Sequence, residues 1–363
     1  MNTRLPRRSF IHAAGTFTLL PTVAGSAPRD WPPTEGKGTP KICLGTGANA
    51  DEKEMRRLRQ IGVDNVLMGG PPIPWQEADL RALVERFRAS GLTVANLMIY
   101  GFPNAVYGRP GRDEEIDKVN ASIRAAGRAG VPVIEYNFYS HRLTEGYYEE
   151  LGRAGAGMTA YDYDRSKDLP PLPAIGTHTL DEMWRNVTYF LKAVVPVAEA
   201  SGVRLALHPS DPPVPLSRGS GQLMATLEGW KRLIEVVDSP SNGITYDCGV
   251  TREIGEDPVE VCRYFGERDR INHAHFRNVR VRRLSVAYTE VFPDEGQVDM
   301  FAVMKELVRQ RYSRALYPEH PRALDADREL PGFAPYYPGG GGYAGLVYNV
   351  AYTKAMLQAA LAG

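Results

Sequence analysis

A chain of 363 residues with 43% hydrophobic residues can bury a full core, and it suits one large α/β barrel or two smaller domains. Its 43 basic and 43 acidic side chains cancel, which gives no reason to expect nucleic acid or an anionic membrane as partner. Three scattered cysteines (Cys43, Cys248, Cys262) are too few for a disulfide framework, and 36 glycines with 28 prolines argue for many loops and against a helical bundle.

The N-terminus reads as a targeting segment over 1–27. Pro6-Arg7-Arg8-Ser9-Phe10-Ile11 puts paired arginines before an apolar run, Ala13 to Leu20, and small residues at Ala24 to Ala27 offer a cleavage site. This order is that of a twin-arginine export signal rather than of a plain basic tail. It implies an exported, periplasmic protein that meets the twin-arginine export machinery. The apolar run is too short for an ordinary transmembrane helix, so no stable membrane association is expected. Residues 28–40 are rich in Pro and Gly and read as a linker. A homo-oligomer remains open.

From Lys41 onward, strand and helix signals alternate. KICLG is a first strand, followed by an amphipathic helix over 51–61. VDNVLMG, LTVANLMIY and VPVIEYNFY are strands two to four, with helices over 76–90 and 114–129 between them. A polar and aromatic insertion runs from Ser140 to about Gly176. A helix over 179–200 follows, with Pro196 as a possible kink. VRLALH, GITYDC, RINHAHF and RALYPEH are strands five to eight, separated by helices over 226–237, 257–265 and 299–310. A last helix covers 343–361. Eight βα units over 41–363 make a (β/α)8 TIM barrel. The rival, an open doubly wound sheet, is weakened because no GxGxxG or GxxxxGK[ST] follows any strand. Long loops follow strands three, four, five, seven and eight, on the face where such barrels carry their active sites.

That face gathers ligand-type side chains. His208, Asp247, His275 and Glu319 end strands five to eight. One strand-end histidine is ordinarily a hydrogen-bonded structural residue; four consecutive strand ends are hard to assign to packing. Buried carboxylates need a cationic partner, and a divalent ion supplies one. Asp247 and Cys248 are adjacent, so within a strand only one of them faces the ion. Cys248 favours a softer metal; Asp247 favours Mn(II), Mg(II) or Fe(II). His273 shares a face with His275, two residues deeper. Arg277 and Asn278 follow on the loop as candidates for binding a substrate carboxylate or hydroxyl.

Proton transfer has its own candidates. His320 lies just beyond the last strand, and Tyr343 sits in the glycine-rich PYYPGGGGYAGL, a loop able to close over a site. A histidine and a tyrosine beside a metal make an acid/base pair. With 19 tyrosines in the chain, no single one is diagnostic. Glu290 reads as a solvated loop carboxylate.

The segments PVAEASGVRLALHPSDPP, VDSPSNGITYDCGV, RINHAHFRNV, EGQVDMFAVMK and YPEHP resemble the mannonate dehydratase family of the xylose-isomerase-like barrels. EYNFYSHRLTEGYY, with Asn137 as a further substrate-binding candidate, adds to the likeness. The resemblance covers about 41–361. It implies dehydration of D-mannonate to 2-keto-3-deoxy-D-gluconate with a divalent metal, Mn(II) first and Fe(II) or Mg(II) next. It carries metal ligation onto His208, His275 and Glu319 and onto one position in ITYDCG. There the family has cysteine, whereas the ungapped alignment gives Asp247; epimerases and isomerases of the wider superfamily have aspartate, so Asp247 is the expected ligand. Glu319 stands where the dehydratases have aspartate. His320 and Tyr343 match the catalytic histidine and tyrosine. Tyr317 replaces an expected arginine, and the Gly-Arg pair after the tyrosine is missing. The expected activity is therefore a sugar-acid dehydratase. A sugar isomerase or epimerase is the alternative, and a non-catalytic exported sugar-binding barrel is a third reading.

Overall fold

Short apolar runs become strands where both of their faces are covered, and the computed structural model, which describes residues 31–33 and 35–363, has eight such runs. They are β1 (Lys41–Gly45), β2 (Asn65–Gly69), β3 (Thr93–Ile99), β4 (Val133–Tyr136), β5 (Arg204–Leu207), β6 (Asn242–Asp247), β7 (Ile271–His275) and β8 (Ala315–Tyr317). All are parallel and close into a barrel in chain order, with β8 beside β1. β6 and β7 are buried at every residue, as parallel strands under helices must be. The predicted export signal lies outside the described residues, as does part of the predicted linker.

The helices between strands follow the expected ranges to within two residues. Glu52–Gln60, Glu77–Ala89, Arg112–Ala129, Leu180–Ala200, Leu227–Val236, Pro258–Gly266, Met300–Arg309 and Tyr343–Ala362 form the outer layer. Leu180–Ala200 shows why. Thr179 and Glu182 close a reciprocal capping box at its start. Met183, Trp184, Val187, Leu191 and Val194 then recur at helical spacing and are buried. Each such side chain contributes about 1.5–3 kcal/mol by leaving water. The helix runs on through Pro196 to Ala200. Among the described residues, no helix is long and apolar enough to cross a membrane.

Two segments expected to be loops are strands instead. Tyr147–Leu151 and Gly157–Asp162, from the insertion after β4, join Asn278–Arg283 and Ala287–Val291, from the loop after β7. They form a four-stranded antiparallel sheet. Tyr161 pairs with Tyr288 and with Tyr147 across it.

Register aligns the strand ends. Asp247 of β6 pairs with His275 of β7, and His275 with Tyr317 of β8. His208 follows Leu207 of β5, and its backbone N–H donates to the Tyr136 carbonyl of β4. Parallel neighbours in this register must present their last side chains at one rim.

Candidate active site

The ligand atoms of His208, Asp247, His275 and Glu319 all lie within 4.8 Å of one another. His275 is central. Its Nδ1 is 3.1 Å from His208 Nε2, 3.0 Å from Glu319 Oε1 and 3.9 Å from Asp247 Oδ2. Its Nε2 faces inward, 3.4 Å from Glu135 Oε1. Glu135 is fixed in turn: Asn96 donates to its Oε2 at 2.9 Å and Thr245 to its Oε1 at 2.9 Å. A carboxylate behind an imidazole sets which ring nitrogen is free to bind an ion. His273 Nε2 is 4.0 Å from Glu135, deeper in the barrel.

Electrostatics separate the two outer imidazoles. Desolvation and the nearby charge of His275 lower the pKa of His208 to about 4, so it is neutral and able to ligate at pH 7. Burial also works against a charge on His275, but Glu319 and Glu135 outweigh it and push its pKa up to about 9. Burial opposes ionisation of Glu319, yet His275, His320 and Arg277 hold its carboxyl well below the usual range.

These residues fit a divalent ion. Glu319 Oε1, an acceptor, is buried without an aligned hydrogen bond. Two imidazole nitrogens and two carboxylate oxygens make a set suited to Mn(II), Fe(II) or Mg(II). Asp247 is held for the role: Oδ1 accepts from the Val250 N–H at 2.8 Å and Oδ2 from Arg277 Nε at 3.0 Å. The Cys248 thiol belongs to the hydrophobic core and donates to the Arg277 carbonyl at 3.2 Å, outside the cluster.

His320 adjoins the quartet. Its backbone is left-handed, with φ 48°, a conformation that costs a non-glycine residue about 1 kcal/mol or more. The turn swings its Nδ1 to 2.9 Å from Glu290 Oε2 and its Nε2 to 3.3 Å from Glu319 Oε2. Glu290 is not solvated. It is buried, and Arg322 Nη2 also donates to its Oε2 at 2.8 Å. Burial opposes a charge on His320, but Glu290 and Glu319 raise its pKa overall.

Three expected site residues stand elsewhere. Tyr343 opens the last helix, and its hydroxyl donates to the Arg57 carbonyl at 3.0 Å, away from the cavity. The glycine run before it is packed rather than free: a Cβ on Gly341 would meet the Arg322 carbonyl oxygen at 2.2 Å, and one on Gly339 (φ 72°) the Met158 carbonyl oxygen at 2.3 Å. Asn278 is buried and spends its amide on local backbone, donating to Pro293 O at 2.9 Å and accepting from Val298 N at 2.9 Å. Arg277 is 2% exposed and lies behind the quartet. It pairs with Asp247, with Glu253 at 2.8 Å, with Glu319 at 3.2 Å and with Asp211 at 3.4 Å, so it balances carboxylates, and it does not line the cavity.

A cavity of about 440 Å³ opens over His208, His275, Glu319 and His320, and Asn137 lines it too. Its wall includes residues the sequence did not single out: Glu135, Arg142, Asp211 and Tyr337. Asp211 Oδ1 accepts from Tyr147 at 2.9 Å and Tyr288 at 2.8 Å, which ties the four-stranded sheet to the cavity. Arg142 donates to Asp211 Oδ2 at 3.1 Å and to the Tyr337 oxygen. A lone glutamate inside the apolar run VPVIEY was the one local signal for Glu135.

A closed parallel barrel with imidazoles and carboxylates gathered where its strands end is a (β/α)8 TIM barrel with a candidate metal centre. The fold alone is similar to that of a xylose isomerase-like TIM barrel protein from Mycobacterium smegmatis, with TM-score 0.55 and 13% identity over 90% of this chain and 100% of that one. The family model for D-mannonate dehydratase (UxuA) matches residues 172–360. The mannonate dehydratase of Thermotoga maritima is 30% identical over 329 residues, which span 80% of this chain and 91% of that protein. The crystal structure of mannonate dehydratase from Streptococcus suis serotype 2 superposes with TM-score 0.79 and 26% identity, covering 89% of this chain and 95% of that one. The chain belongs to the mannonate dehydratase family, whose members are metal-dependent hydro-lyases.

Proposed function

We propose that this protein removes water from D-mannonate to give 2-keto-3-deoxy-D-gluconate, with Mn(II) as its resident ion. Family membership supports the reaction class. The observation that carries it to this cavity is that His208, His275 and Glu319 line the same wall as His320. When bound, a divalent ion draws electron density from the substrate carboxylate and its neighbouring hydroxyl, which acidifies the C2 hydrogen.

The chain's own groups do the rest. Nδ1 of His320 is turned to Glu290, so Nε2 is the atom that takes the C2 proton. Tyr337, whose ring lies 5.4 Å from that of His320, takes the part that the sequence gives to Tyr343 and protonates the departing C3 hydroxyl. Arg142, hydrogen-bonded to the Tyr337 oxygen, stabilises the phenolate left behind. Asn137 meets a substrate hydroxyl.

Turnover in heavy water tests this division. His320→Asn is expected to stop both exchange at C2 and water loss. Tyr337→Phe is expected to keep the exchange and lose the water. Exchange by the wild-type protein without any 2-keto-3-deoxy product would point to an epimerase instead. D-Mannonate recovered untouched from Mn(II)-loaded protein would end the proposal.

We also place the working protein outside the cytoplasm, on the strength of Arg7-Arg8 and the apolar run behind them. Cell fractionation of the wild type and of a variant with both arginines changed to lysine tests it; equal cytoplasmic retention of the two would refute export by this route.

A further inference from the structure

The cavity is larger than the reacting end of a sugar acid requires. A six-carbon aldonate has about a dozen non-hydrogen atoms, whereas pockets of about 300–1,000 Å³ hold drug-sized ligands. His208, His275, Glu319 and His320, all buried or half-buried, take up one part of the lining of the 440 Å³ space. Another part of the lining is aromatic: Tyr139 and Tyr337 are half-buried, and Tyr336 reaches solvent.

Tyr336 is 88% exposed, yet its ring is braced. It stands at 88° to Tyr337 with centroids 4.6 Å apart. Tyr337 is held by Arg142, and Arg142 by Asp211. A large ring left in water at a cavity mouth, and fixed from behind, offers an apolar face at little entropic cost. Polar groups line the same cavity. The side-chain amide of Asn137 and the hydroxyl of Tyr139 line the cavity with no hydrogen-bond partner among the described residues. A pyranose ring matches both features. Its C–H face packs on an aromatic ring, and its hydroxyls meet amides and phenols.

We propose that the outer part of the cavity is a subsite for a pyranosyl group carried by the sugar acid, so that the preferred substrate is a glycosylated aldonate. This rests on the dehydratase reading above. The link must lie at C4, C5 or C6, because C2 gives up a hydrogen and C3 its hydroxyl. The glycosidic bond is untouched; the products are the glycosylated 2-keto-3-deoxy acid and water.

The experiment compares D-mannonate with D-mannonates glucosylated at C4, C5 or C6, using Mn(II)-loaded protein. At least one glucosylated acid is expected to show kcat/KM about tenfold or more above the free acid. Tyr336→Ala should lower that ratio about fivefold or more, and Tyr336→Trp, which keeps a platform, should preserve it. A ratio below one for every glucosylated acid, or a ratio unmoved by Tyr336→Ala, overturns the subsite while leaving the dehydratase reading intact. If no acid loses water, the dehydratase reading falls by itself, and calorimetric binding decides the subsite. Tighter binding of a glucosylated acid that Tyr336→Ala erases supports it; equal binding of free and glucosylated acids overturns it.

Discussion

Nδ1 of His320 lies 2.9 Å from Oε2 of Glu290, a residue 30 positions earlier on a strand outside the barrel. The contact fixes the imidazole and favours its charged form. Glu290→Gln keeps the shape and removes the charge. It should lower kcat about 10- to 100-fold, with His320→Asn costing more. Without that carboxylate the pKa of His320 falls. A base works when unprotonated, so the acid limb of the kcat/KM profile should move to lower pH. An unchanged kcat and an unmoved limb would remove this pair from the reaction.

Metal content tests the quartet directly. His208→Ala and Glu319→Ala should each purify with little or no bound ion, measured by elemental analysis, while Cys248→Ser keeps a full complement. Retention of metal by both alanine variants, or its loss from Cys248→Ser, would require a different ligand set.

Proton release follows from His275. Without an ion, Glu319 beside its Nδ1 and Glu135 beside its Nε2 keep the ring charged up to about pH 9, and an ion must displace one proton. Metal affinity should therefore rise about tenfold per pH unit between about pH 7 and 9 and level off above that. Calorimetry in buffers of different ionisation enthalpy should count about one proton released at pH 7 and none well above pH 9. A pH-independent affinity across that range would contradict a charged His275.

Removing the guanidinium behind the site should be costly. Arg277→Leu leaves Asp247, Asp211 and Glu253 buried without their shared cation. A loss of about 3–5 kcal/mol is expected, read as a lower denaturation midpoint. A variant as stable as the wild type would mean that these carboxylates take up protons without cost.

Much of the barrel was legible because its signals are local. Each strand is an apolar run and each helix repeats at its own period, so the sequence alone places His208, Asp247, His275 and Glu319 at one rim. What was hidden depends on pairing between distant segments. The match of Tyr161 with Tyr288 joins two insertions more than a hundred residues apart, and nothing nearby in sequence reports it. Once that sheet forms, Glu290 turns inward and becomes buried. Tyr343 and Tyr337 show the same limit. Both belong to one tyrosine- and glycine-rich stretch, and which of them reaches the cavity is set by how Gly339 and Gly341 pack against Met158 and Arg322. Arg277 looked available because it follows a ligand on the loop; its partners Glu253 and Asp211 come from elsewhere in the chain.

Arg277 also bears on how the protein lives with its ion. A pocket whose negative charges have no other counterpart tends to collapse or open when stripped. Here a permanent positive charge stays beside Asp247 and Glu319 whether or not an ion is present. Chelation should then be reversible, with the stripped protein still folded and ready to reload. The ion in use would follow the supply of the compartment in which the protein works, and exchange of one metal for another would proceed without unfolding.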